Sequence, residues 1–213
     1  MDNFIFDFDG TLANSGKTGE LATKLAFKEF DLKEPSSDDI NYYMGIPIEV
    51  SFKKMAPDKK FSDAEFENLL SIFRKCYKDL ETSNLTLFDG IFDSLKELHR
   101  QKRKLFVVSS KHSTALTRNL ESLNINQFFD GVIGSDQVEH FKPAPDGVLE
   151  TLSKFNLSPD KSIMIGDAIF DLQMGKSAGV HTAGVIWGAH DVEALKQENP
   201  DYILKSPKEL LEL

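Results

Sequence analysis

Two pairs of carboxylates carry the chemistry this chain is equipped for. Asp7 and Asp9 stand two residues apart behind Phe4-Ile5-Phe6, a short, strongly β-prone run, and Gly10 follows at once. In an extended segment the side chains at i and i+2 share a side, so both carboxylates lean toward one point, and the glycine lets the backbone turn there. Two anions that close repel, and burial raises their energy further. A cation is expected beside them. Mg²⁺ suits best, because it takes hard oxygen ligands, keeps waters and binds phosphate oxygens. Asp167 and Asp171 form the second pair, one helical turn apart, behind Ile163-Met164-Ile165-Gly166. Ser109-Ser110 close the apolar run Leu105-Phe106-Val107-Val108, and Lys142 sits between His140-Phe141 and Pro143-Ala144-Pro145. Each has a plainer reading. Asp7 and Asp9 could solvate a strand end, Asp167 and Ser109-Ser110 could cap helices, and Lys142 could be a solvated loop lysine.

These groups serve one site only if one sheet gathers them. From Phe88 onward strands and helices alternate: a helix around Ile91, Leu95 and Leu98, a strand at 105–108, a helix at 113–123, a strand at Val132-Ile133 and a helix at 147–155. A strand at 163–165, a helix ending at Ala178-Gly179, a strand near 182–186, a helix from Val192, a strand at 202–204 and a final helix complete the series. Such alternation predicts an α/β fold with a Rossmann-like parallel sheet and helices on both faces. Ligands of these sheets lie outside the carboxyl ends of the strands, where every candidate above stands.

The stretch from about 15 to 85 reads differently. Helical spacing recurs over 17–30, through Ile40 and Tyr43, over 48–55 and along Phe66, Leu69, Leu70, Phe73, Cys76 or Tyr77, and Leu80, with no strand signal. Ser62-Asp63-Ala64-Glu65 is a capping box for the last of these. The expected organisation is a core of 1–14 and 86–213 carrying an all-helical insertion at 15–85. Gly16-Lys17-Thr18 opens a helix after a strand, as a P-loop does, but the glycine spacing back to Gly10 is one residue too long.

Composition narrows the partners. With 213 residues, 40% hydrophobic and 28% charged, the chain is an ordinary globular one with a sizeable core. A formal charge of −9 argues against nucleic acid, which demands a basic surface. The lone cysteine, Cys76, excludes an internal disulfide and falls on the apolar side of a helix. The acidic start Met1-Asp2-Asn3 and the short apolar run after it do not make a signal peptide, and no membrane-spanning run is present, so a cytoplasmic protein is expected. His99, His112, His140, His181 and His190 lack metal-ligand spacing, and Trp187 reads as packing.

In order, Asp7-Phe8-Asp9-Gly10-Thr11, the apolar strand ending in Ser109, Lys142-Pro143-Ala144-Pro145 and Gly166-Asp167-Ala168-Ile169-Phe170-Asp171 resemble the four motifs of the haloacid-dehalogenase-like hydrolases, over essentially the whole chain. The insertion looks like that family's small α-helical cap. Gly45-Ile46-Pro47 is similar to the cap loop of phosphoglycolate-phosphatase-like members, and Phe88-Asp89-Gly90-Ile91 resembles their return hinge, with Asp89 where those relatives usually carry proline. The resemblance implies Asp7 as nucleophile and Asp9 as acid, then base. It implies Mg²⁺ held by Asp7, Asp167 and the Asp9 carbonyl, with Asp171 in support. Ser109, Ser110, Lys142 and the Gly10 and Thr11 amides would hold phosphate oxygens. An aspartate at position 9 disfavours dehalogenation, because a halide leaving group needs no proton. The implied activity is Mg²⁺-dependent hydrolysis of a small phosphomonoester, of phosphoglycolate or sugar phosphate type, by a monomer or small homo-oligomer. A sugar phosphomutase on the same scaffold and a non-enzymatic phospho-accepting receiver remain the alternatives. Tyr43, Gly45, Ile46 and Pro47 are the expected substrate-facing loop of the cap.

Overall fold

The computed structural model describes every residue except Met44, so the end of the short helix expected through Ile40, Tyr43 and Met44 lies outside the described residues. The chain divides into two compact units, Met1–Asn14 with Leu87–Leu213, and Ser15–Thr86.

The first unit is built on β1 (Asn3–Phe6), whose four residues are all buried. The chain leaves through β2 (Ala13–Asn14) and returns through β3 (Thr86–Leu87), which lie side by side. Then follow α5 (Ile91–Arg100), β4 (Lys104–Val108), α6 (Ser113–Ser122), β5 (Gly131–Ile133), α7 (Asp146–Lys154), β6 (Ser162–Gly166), α8 (Ile169–Ser177), β7 (His181–Val185), α9 (Val192–Gln197) and β8 (Tyr202–Leu204). The helices α1 to α4 belong to the second unit. The six long-range strands form one parallel sheet in the order β5-β4-β1-β6-β7-β8. Its strand order reverses at β1, between β4 and β6, which is where a doubly wound sheet opens its ligand crevice.

Period-two alternation fills both faces. Ile5 joins Phe106, Val108, Met164 and the α7 and α8 residues Val148, Leu152 and Met174 in one cluster. Phe4 and Phe6 face the other way, and Phe6 meets the edge of Phe129 at 6.3 Å. Sheet burial on both sides explains why these strands are continuously apolar. Phe6 pairs with Val107 on one side and Ile165 on the other, so the central strands end level. The closing segment Pro207–Glu212 is a 3₁₀ helix, where an ordinary final helix was expected. It is short and opens on a proline, and its Pro207 carbonyl accepts the Ser94 hydroxyl of α5 at 2.9 Å.

The second unit holds α1 (Gly16–Glu29), α2 (Ser37–Tyr42), α3 (Ile48–Met55) and α4 (Asp63–Asn84). Phe27, Phe52, Phe66, Leu69, Leu70, Phe73 and Tyr77 form its core. Phe52 meets both Phe27 and Phe73 edge-on, at 5.2 and 5.1 Å. Tyr77 takes the buried position on α4 while Cys76 is half-buried, its thiol pushed up chiefly by burial. The capping box starts α4 as its sequence foretells, with Ser62 and Glu65 bonding each other's backbone N–H.

Candidate active site

Level strand ends bring distant residues to one place. Asp7 follows β1, and its N–H donates to the Ile165 carbonyl at 2.8 Å, so it sits against the end of β6. Asp167 follows β6, and Asp171 lies in the first turn of α8, where its carboxylate accepts the Ala168 N–H at 3.1 Å. Oxygens of Asp7, Asp167 and Asp171 all lie within 4.8 Å of one another. Lys142 arrives on the loop before α7, at a cis Lys142–Pro143 peptide, and is 7% exposed. Its ammonium donates to Asp7 Oδ1 at 2.6 Å and to Asp171 Oδ1 at 2.7 Å. The loop-lysine reading is thereby excluded.

Backbone space makes this density feasible. A Cβ on Gly10 would stand 2.2 Å from Asp167 Oδ2, and one on Gly166 would stand 2.2 Å from Asp171 Oδ2. Gly10 also holds a φ of +80°, which L side chains rarely adopt. Thr11 is fully buried and donates its hydroxyl to Asp167 Oδ1 at 2.8 Å.

Electrostatically the trio is short of positive charge. Three carboxylates face one ammonium. Burial, opposed by Lys142 and reinforced by Asp171, pushes Asp7 up to about 7. Burial and the charges of Asp171 and Asp7 hold Asp167 well above the usual carboxylate range. Burial alone would lower Lys142, but Asp171 and Asp7 reverse that and raise it.

Asp9 departs from the shared-point expectation. Its carboxylate is not in the trio; it pairs with Lys111 Nζ at 3.1 Å, because the chain has already left β1 and is turning at Gly10. Lys111 is the residue that sequence reasoning passed over. Its Nζ also donates to Asn119 Oδ1 at 3.1 Å, and it stands 5.1 Å over the Phe8 ring. Its position directly after Ser109-Ser110, at a strand end already marked as important, was the available signal. Ser109 is buried, and its hydroxyl accepts the Lys111 N–H at 3.2 Å. Ser110 is half-buried beside it. The Gly10 and Thr11 amides, expected to face phosphate, are committed inside the turn, to Ala13 O at 2.9 Å and Phe8 O at 3.4 Å. A tight turn closes its own hydrogen bonds first.

A family profile described as "Haloacid dehalogenase-like hydrolase" matches residues 4–185. The chain belongs to this family. The hydrolase is 33% identical to a phosphoglycolate phosphatase of Aquifex aeolicus over 213 residues, covering 100% of this chain and 96% of that one. It is 30% identical to the pyrophosphatase PpaX of Listeria monocytogenes over 212 residues, covering 99% of this chain and 95% of that one. A haloacid dehalogenase-like hydrolase of Streptococcus pneumoniae superposes with a TM-score of 0.86 at 30% identity, covering 100% of this chain and 97% of that chain. With this family and these relatives the enzyme is a phosphatase.

Three histidines of the hydrolase have local partners. His112 is the N-cap of α6 and accepts the Thr114 N–H at 3.3 Å; His140 pairs with Asp146 at 3.1 Å; His99 packs on Phe128. Gly16-Lys17-Thr18 opens α1 in the second unit. Among the described residues no helix is long and apolar enough to cross a membrane.

The trio fits a divalent cation on its own chemistry. Clustered hard oxygen donors with a net charge of about −2 after Lys142, and two carboxyls held up by burial, are what a hard dication relieves.

Proposed function

We propose that this hydrolase is a Mg²⁺-dependent phosphatase of a small phosphate ester or anhydride whose leaving group is itself anionic. The observation that carries the reading is Asp7, buried within 2.6 Å of Lys142 and inside a carboxylate trio, with a second aspartate, Asp9, held separately by a second lysine. Asp7, Asp167 and the Asp9 carbonyl would hold Mg²⁺, with Asp171 fixing Lys142. When bound, the ion neutralises charge developing on the transferred phosphoryl group. Asp7 attacks phosphorus to give an aspartyl-phosphate, which divides one difficult hydrolysis into two easier steps. Asp9 protonates the leaving oxygen and later takes the proton of the attacking water. Lys142, Ser109 and Ser110 hold the equatorial oxygens.

Lys111 supports the substrate class. A lysine beside the acid that serves the leaving group favours leaving groups with a charge of their own. The carboxylate of phosphoglycolate and the second phosphate of pyrophosphate both qualify, and relatives named for each substrate are at hand. Within this reading Ser15–Thr86 is the cap, and its loop Gly45-Ile46-Pro47 selects among leaving groups. Replacing that loop should reorder a substrate panel and leave Mg²⁺ dependence alone.

The decisive experiment is turnover by Asp7→Asn, with phosphoglycolate, pyrophosphate, a sugar phosphate and p-nitrophenyl phosphate as substrates. Activity should fall by about 10⁴-fold or more on all of them, since the shape stays and the anionic nucleophile goes. Near-normal rates would overturn the covalent mechanism. Wild-type preference for sugar phosphates, whose leaving groups are neutral, would overturn the anionic leaving group.

A further inference from the structure

We propose that Trp187 and Gly188, in the loop after β7, are positioning residues that brace the Asp7–Thr11 turn and, through it, set the affinity of the acidic trio for its cation. The inference rests on the phosphatase reading of that site. The loop reaches the trio by way of the turn. Its influence travels by two separate routes to the same carboxylate.

The first route is a hydrogen-bond relay. The Trp187 indole N–H donates to the Thr11 carbonyl at 2.9 Å, and the Thr11 hydroxyl donates to Asp167 Oδ1 at 2.8 Å. Indole nitrogen is a donor only, so this bond has one polarity and fixes the Thr11 peptide plane. The second route is steric. A methyl on Gly188 would stand 1.8 Å from the Gly10 carbonyl oxygen, so the loop backbone lies directly on that peptide. Gly10 in turn lies against the Asp167 carboxylate, where its own Cβ would reach Oδ2 at 2.2 Å. Asp167 is thus held from two sides of one turn, and both holds end in the same dipeptide.

The loop is well placed for this. β7 lies beside β6, with Gly184 opposite Gly166, and the Ile186 N–H donates to Leu204 O at 3.1 Å. The loop is therefore anchored to the sheet before it reaches the turn. Groups that orient metal-binding carboxylates from behind typically matter by 10–100-fold in metal affinity or activity. Trp187 accordingly has a function beyond the packing role its sequence position suggests.

The test uses the full-length protein with Trp187→Phe, which keeps an aromatic ring and deletes the donor, and Gly188→Ala, which forces the Gly10 carbonyl to move. Mg²⁺ affinity is measured by calorimetry, turnover with p-nitrophenyl phosphate, and folding by thermal melts. Each folded variant should bind Mg²⁺ about 10-fold more weakly, with kcat falling more than KM rises. A lowered melting temperature with wild-type Mg²⁺ affinity would reduce the loop to packing and overturn the proposal. Should neither variant fold, the wild-type protein decides, because Trp187 is its sole tryptophan. Its emission should shift when Mg²⁺ saturates the site, and an unmoved spectrum at saturation overturns the brace. Asp7→Asn separates the two levels. Retained turnover there sinks the nucleophile role given to Asp7 and with it the reading of the site, whereas lost turnover alongside wild-type Mg²⁺ binding in both loop variants sinks the brace alone.

Discussion

Lys142 shows how one residue couples charge to stability. Its side chain is 4% exposed and its ammonium satisfies Asp7 and Asp171 at once. Removing it as Lys142→Met leaves buried carboxylates uncompensated, which should cost about 3–5 kcal/mol in the metal-free protein at pH 8. The loss should shrink at pH 5, where the carboxyls take up protons in its place. Urea unfolding at both pH values measures this, and an equal loss at each would mean the lysine acts by packing alone. Asp9 presents a different case. Asp9→Asn keeps the nucleophile and removes proton transfer, an effect of typically ~10²–10⁴-fold. That loss should be largest on alkyl phosphates and smallest on p-nitrophenyl phosphate. Equal losses on both would count against the acid role.

Among the elements, α8 does the most positioning, since Asp171 rides on it. A Cβ on Gly175 would stand 2.8 Å from Met164 Cβ and 2.9 Å from Thr182 Cγ2, so the helix lies directly against β6 and β7. Gly175→Ala should force the helix outward, costing about 1–3 kcal/mol by overpacking and weakening Mg²⁺ binding through the displaced Asp171. Destabilisation with unaltered Mg²⁺ affinity would show that the position of Asp171 does not bear on the ion. In the second unit, α4 depends on its N-terminal box in the ordinary way. Ser62→Ala should cost about 1 kcal/mol, read as a lower melting temperature, and should leave Mg²⁺ affinity unchanged.

For the whole molecule, the acidic trio makes stability depend on both pH and cation. Asp7 has a folded pKa of about 7 against an ordinary 3.8, so the folded state binds more protons across that window. Stability of the metal-free protein therefore falls from this group as pH rises from 3.8 toward 7. A cation that displaces those protons should stabilise more at pH 8 than at pH 5.5. At 100 times its Kd, Mg²⁺ should add about 2.7 kcal/mol at pH 8, and EDTA should remove it. A melting temperature indifferent to Mg²⁺ at pH 8 would show that the trio does not hold the ion.

Local physics was enough for much of this protein. Apolar runs of four or five residues, helical spacing and the Ser62–Glu65 box are decided by neighbours in the chain, and the strands and helices follow them closely. Asp7, Asp167 and Lys142 were legible because strand ends of a parallel sheet converge whatever the details. Side-chain partners were not legible in the same way. Lys142 reaches Asp7 across 135 residues and Trp187 reaches Thr11 across 176, and such pairings exist only once strand order and register are set. Only the turn at Gly10 sent Asp9 to Lys111 and folded the Gly10 and Thr11 amides inward. Periodicity records which side a residue faces, but the group it meets there depends on the packing of elements far away in the chain.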